Sequence, residues 1–91
     1  MGSNNSQTPN PFTKARQDAR LSLNDFASVI GLGTSTLILL DKAAISNPKI
    51  PLAKLAALGY DAQAARDQYA AFRKAVSAER LAQLQEARKG A

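Results

Sequence analysis

Apolar residues along this chain recur at three- and four-residue intervals, and no stretch alternates with period two. That spacing predicts an all-α protein. Phe12, Ala15, Arg16 and Ala19 fall on one side of a first helix, expected from about residue 14 to residue 20, with Thr13 as its N-cap. An Arg on an apolar stripe either lays its stem along the core with its head in water or enters a partly buried ion pair. Ser22 and Asp25 form an S-x-x-D capping box at the start of a second helix, with Leu21 placed to staple against Phe26. Phe26, Ala27 and Ile30 make its buried side. Gly31 supplies the left-handed residue that ends it, and Leu32 plugs the turn. A third helix, from Gly33 or Thr34 to about Ala44, points Leu37, Leu40 and Ala44 one way, with Asp41 beside them. Ser35, Ile38, Leu39 and Lys42 point the other way, with Thr34 at the exposed N-terminal end.

Turn chemistry follows at Ser46-Asn47-Pro48-Lys49-Ile50-Pro51, with Ile50 expected in the core. Leu52, Leu55 and either Leu58 or Ala56 line a fourth helix that Gly59 ends, and Tyr60 reads as a lid on the core. Asp61 caps a further helix whose narrow stripe is Ala62, Ala65, Tyr69, Phe72 and Val76, with Gln63, Asp67, Arg73 and Lys74 mostly away from it. That stripe packs on the core or on a second subunit. Ser77 followed by Glu79 resembles a fresh N-cap, so a break or bend is expected there, then a last helix to about Arg88 carrying Leu81 and Leu84. The organisation is a disordered tail over residues 1–11, a helix-turn-helix domain over residues 12–60, and a C-terminal helical extension over residues 61–91 available for dimerisation. Two short patterns fall in the tail: Met1-Gly2 with Ser6 fits myristoylation, and Asn4-Asn5-Ser6 fits a glycosylation acceptor. With no eukaryotic or secretory signal beside them, a flexible tail is the expectation.

Charge adds a partner. Twelve Lys and Arg face seven acids, a net +5, which suits a polyanion such as nucleic acid, although a merely basic surface gives the same sum. The chain has no Cys and no His, which removes disulfides, thiol chemistry and imidazole acid–base chemistry. Without a phosphate-cradling glycine loop or an acid cluster suited to a cleft, no enzyme, metal or cofactor is expected. No apolar stretch is long enough to span a bilayer and no signal peptide is present, so no membrane partner is expected, and the cytoplasm is the expected compartment.

Residues 21–61 read as helix, glycine turn, helix, proline loop and helix. Phe26-Ala27, Ile30-Gly31-Leu32, Thr36-Leu37, Leu40-Asp41, Asn47-Pro48, Leu55-Ala56 and Leu58-Gly59-Tyr60-Asp61 occur in an order and spacing that resemble the XRE family, the lambda-repressor and Cro-like helix-turn-helix domains of phages, plasmids and bacteria. With the first helix, the resemblance covers about half the chain. It implies four short helices, double-stranded DNA as partner, and a small repressor from a phage, plasmid or other mobile element that occludes a promoter. Such regulators commonly bind as homodimers. By matching position, Thr34, Ser35 and Leu39 would face bases, Gly33 and Leu23 would lie near phosphates, and Asn47 and Lys49 would meet the backbone. The resemblance also implies an Arg16–Asp41 salt bridge. On their own chemistry, Thr34 and Ser35 bond base edges or phosphates, and Lys42 reaches a phosphate. Ile38 and Leu39 contact only thymine methyls or another apolar surface. The family usually has polar residues at positions 23, 38 and 39. Three readings of this face therefore stand: thymine contact, a protein-docking surface formed by Leu23, Ile38 and Leu39 in an antiactivator or co-regulator, or cover by the C-terminal segment.

Overall fold

The structure is a computed structural model that describes residues 8–90. Its helices run in chain order as α1 (Pro11–Asp18), α2 (Leu23–Ile30), α3 (Thr34–Asp41), α4 (Lys49–Ala57) and α5 (Ala62–Lys89), with no strand among the described residues. The all-α class follows, as four short helices and one long one. The two modification patterns near the N-terminus lie outside the described residues.

Helix α1 begins earlier than the stripe predicts. Its N-cap is Asn10, whose side-chain oxygen accepts from the backbone N–H groups of Phe12 and Thr13. Pro11 occupies the first helical position, where its fixed φ suits the helix and its missing N–H costs nothing. The Asn10 amide also donates to the Leu40 carbonyl at 2.9 Å. Asn10 is 6% exposed, so the folded unit starts inside the segment expected to be a disordered tail.

Ser22 caps α2 through its hydroxyl, which accepts from Asp25 N–H at 3.1 Å. Gly31, at φ 81°, closes it as expected. Helix α3 stops at Asp41, three residues short of the expected end, because Ala43 adopts φ 60°. Ala43 N–H donates to the Leu40 carbonyl and Ala44 N–H to the Leu39 carbonyl, the paired bonds that usually surround a glycine. Helix α4 starts at Lys49, inside the stretch expected to be loop. Pro51 is tolerated there because the first turn of a helix has no partners for its N–H groups.

Phe12, Leu40 and Leu55 are the most deeply buried large side chains, and Phe26, Ile30, Leu37 and Leu52 surround them. Helix α5 adds Ala65 and Tyr69 to the same core, with Phe72 packed against it. Its N-terminal half therefore belongs to the globule rather than to a separate extension. Tyr69 meets Phe12 edge-to-face at 5.6 Å and donates its hydroxyl to the Ile45 carbonyl at 2.7 Å. Ile50 and Tyr60 are exposed instead of buried. Pro48, Pro51 and Leu52 bury in the place expected for Ile50, and Ile45 packs on the core. No break occurs at Ser77, and α5 runs 28 residues without interruption. At 1.5 Å per residue it is about 42 Å long, which sets the 47 Å long axis of the molecule. No single helix among the described residues is long and apolar enough to cross a membrane.

Two measurements check this packing. Asn10→Ala should lower unfolding free energy by about 2 kcal/mol in urea, roughly half from the lost cap and half from the lost Leu40 bond. Asn10→Ser keeps a capping oxygen without the reach to Leu40 and should fall between. The second concerns Tyr69, whose phenol burial raises above the ordinary 10.0, against the opposing pull of Arg73 and the Ile45 hydrogen bond. A raised folded-state value means that this contribution to stability is intact below about pH 10 and is lost as pH climbs through the folded value. In a Tyr60→Phe variant, where Tyr69 is the sole tyrosine, absorbance titration should give a midpoint above 10.0 while the protein stays folded.

Candidate nucleic-acid interface

Three residues, Gly31-Leu32-Gly33, join α2 to α3, and the chain bends by 108° between the two helices. Gly31 makes the bend accessible because its φ of 81° is in the left-handed region, which a residue without Cβ adopts freely. A Cβ there would stand 3.5 Å from Lys54 Nζ, so the α4 side chain lies over the turn. Leu32 packs against the core beneath it.

Gly33 is the N-cap of α3 and provides no side-chain bond to the first-turn N–H groups. Thr34, Ser35 and Thr36 put three hydroxyls around that end, with Ser35 exposed and the other two half-buried. Along the helix, Leu37 and Leu40 face the core, and Asp41 turns towards α1. The opposite face carries Ser35, Ile38, Leu39 and Lys42, all exposed. Ile38 and Leu39 retain 40% and 45% of their surface. The C-terminal segment therefore leaves them open, which removes the reading in which it covers them.

The remaining expected residues divide. Asn47 and Lys49 are exposed at the start of α4 and line one shallow hollow with Leu32, Thr36 and Ile50. The loop is thereby brought beside Thr36 in the first turn of α3. Leu23 is half-buried and packs against the core. Its side chain supports α2 and does not present a free apolar contact. The Arg16–Asp41 salt bridge is absent. Asp41 accepts from the Thr13 hydroxyl, and Arg16 Nη1 donates to the Leu21 carbonyl at 3.3 Å. Because α1 starts at Pro11, Thr13 is the α1 residue opposite Asp41, and Arg16 lies nearly one turn further on, at the helix C-terminus, where free carbonyls attract a cation. The salt bridge among the described residues is Lys14–Asp18, on the surface at 3.0 Å.

Helix α5 brings a further group to this region that the sequence pattern did not single out. Arg73 Nε donates to the Ala43 carbonyl at 3.1 Å and Arg80 Nη2 to the Lys42 carbonyl at 3.1 Å. Both arginines thus sit at the C-terminal end of α3. Their signal in the sequence is the seven-residue interval from Arg66 to Arg73 to Arg80, which places them on one face only if the helix is unbroken. The expected break at Ser77 hid it.

No family model matches the chain, and neither a curated protein nor a solved structure matches it.

The two faces of α3 should separate cleanly in stability. Leu39→Gln should cost about 1 kcal/mol or less, as for a surface change. Leu40→Ala, next to it but fully buried, should cost about 2–5 kcal/mol. Urea unfolding of the two variants measures the difference.

Proposed function

We propose that this protein is a sequence-specific, double-stranded DNA-binding regulator of transcription, a small repressor of a phage, plasmid or other mobile element that acts in the cytoplasm by occluding a promoter. The observation that carries the reading is the α2–α3 pair. Helix-turn-helix pairs meet at about 90–120° through a short turn that often contains glycine, and here the bend is 108° across Gly31-Leu32-Gly33. The outward face of α3 enters the major groove with its N-terminal residues foremost. Thr34 and Ser35 bond base edges or phosphates, and the free N–H groups after Gly33 suit a phosphate. Ile38 and Leu39 contact thymine methyls. Lys42, Asn47 and Lys49 hold the backbone and set the register. The origin from a mobile element rests on the resemblance to lambda-repressor and Cro-like domains. The regulator binds as a homodimer on a twofold site, the usual arrangement for such domains. It acts by binding alone, with no catalytic step and no cofactor.

A second reading is favoured by one observation, the adjacent exposure of Ile38 and Leu39. In it the same fold docks a protein through these two side chains, as an antiactivator or co-regulator. Leu23 contributes only through the packing of α2.

A binding titration separates the two. The probe is the DNA just upstream of the gene for this protein, against a shuffled duplex, at two salt concentrations. A preference for the native duplex that survives the higher salt is expected. Lys42→Glu with Lys49→Glu should weaken that binding roughly tenfold or more. Sequence-blind binding that vanishes with salt would overturn the regulator reading and turn attention to Ile38 and Leu39 as a protein contact.

A further inference from the structure

Between α5 and the α3–α4 loop lies an open groove of about 370 Å³. Arg66, Arg73 and Lys74 enter it from α5, together with Ser77, while Ser46 and Asn47 enter it from the loop. Three cations and four neutral polar side chains, Tyr69 included, line it beside Pro48, Leu52 and Ala70, and no carboxylate lines the groove. Arg66, Arg73 and Arg80 recur two helical turns apart, so they drift by only about 20° per step and form one stripe. Glu79 and Glu86 fall on the far side of the helix, and Asp67, whose carboxylate accepts from Gln63 at 3.0 Å, does not line the groove.

Arg73 in the groove, and Arg80 beyond it, have a structural account. Arg73 and Arg80 satisfy carbonyls at the end of α3 and face the negative end of its dipole. That account does not reach Arg66 and Lys74, which make no hydrogen bond or ion pair among the described residues. It also spends only one donor of each guanidinium. A guanidinium has five N–H donors in a fixed fork, so anchoring Arg73 through Nε holds the fork in place with its remaining donors free. Positive charges gathered without an acid repel one another, and an anion in the groove relieves that cost.

We propose that this α5 face is a second phosphate-binding surface, which grips the sugar–phosphate backbone of DNA as it leaves the α3 face. The inference rests on the DNA-binding reading. Continuity is the argument for a duplex as the source of the phosphates. Asn47 belongs both to the groove and to the hollow beside Thr36 in the first turn of α3. Arg80 holds the carbonyl of Lys42, itself exposed at the end of that face. Asn47 and the Arg80–Lys42 contact therefore link the α3 side of the molecule to the cations of α5. Phosphate contacts of this kind carry no sequence information and fix orientation.

The test is the salt dependence of binding to the native upstream duplex. The variant is Arg66→Gln with Lys74→Gln, chosen because neither side chain is hydrogen-bonded and the fold should be unaffected, which a thermal melt checks. Each lost phosphate contact lowers the slope of log K against log salt by about 0.9, so the double variant should lose about 1.8 while keeping its preference for native over shuffled DNA. Lys14→Gln with Arg20→Gln removes the same charge on the α1 side and should leave the slope unchanged. An unchanged slope in the α5 variant, or an equal fall in both variants, overturns the proposal with DNA binding itself intact. Displacement of the duplex by inorganic tripolyphosphate at matched ionic strength, abolished in the α5 variant without a change of slope, would assign the groove to a small phosphate compound and overturn it too. If the wild-type protein shows neither preference nor a salt slope, the DNA-binding reading has failed, and this inference falls with it.

Discussion

One buried amide joins the first folded residues to the middle of the chain. Asn10 caps α1 with its oxygen and binds the Leu40 carbonyl with its nitrogen. A buried polar group is tolerated only when its donors and acceptors are paired, so the side chain fixes the start of α1 and the end of α3 at the same time. Phe12 follows two residues later at the centre of the core, against Tyr69 of α5. The Thr13 hydroxyl meets Asp41 on the same α1–α3 contact. The placement of α1, and through it the packing of α3 and α5, depends on that link. Four of the helices are only eight or nine residues long. Helices of that length are marginal in isolation, and tertiary contacts hold them.

Helix ends show how unevenly this architecture is written in the chain. Gly31 and Gly59 have positive φ and end α2 and α4 where glycine leads one to expect it. Arg20 and Ala43 do the same work at φ 59° and 60° without being glycine. A left-handed L-residue costs roughly 1–2 kcal/mol, so composition argues against such a stop. The paired carbonyl bonds after α1 and α3 offset that cost. Ala43 is buried, whereas Arg20 is exposed. The surface of α3 follows a simpler rule. Its inward Leu37 and Leu40 and its outward set, Ser35, Ile38, Leu39 and Lys42, were legible from the helical period, whereas Ala44, expected inward, is exposed and Ala43 is buried, because the helix ends at Asp41.

Helix α5 has two roles. Its first half closes the core through Ala65, Tyr69 and Phe72. Its basic face meets the end of α3, where Arg73 and Arg80 occupy carbonyls left without helical partners. Beyond Ser77 the helix continues with every described side chain exposed, Leu81 and Leu84 included. Alanine, glutamine, arginine and glutamate dominate that stretch, all good helix formers on their own. A Ser at position 77 has little reason to interrupt them, although its capping chemistry suggested otherwise.

The sequence by itself determined the helical class, the starts at Ser22 and Asp61, the stops at Gly31 and Gly59, and the inward and outward faces of α3. Of the candidate interface, the exposed set of Ser35, Ile38, Leu39, Lys42, Asn47 and Lys49 was readable in advance. These features depend on a cap side chain, a missing Cβ or a period of 3.6 residues, which act within a few positions of the chain. Tertiary structure alone decided that Asn10 begins the fold, that Thr13 and not Arg16 meets Asp41, that Leu23 supports the core, that Ile50 and Tyr60 stay outside, and that the arginines of α5 gather at the end of α3. Each depends on which distant backbone groups need a partner once the helices have packed, and no local pattern contains that information.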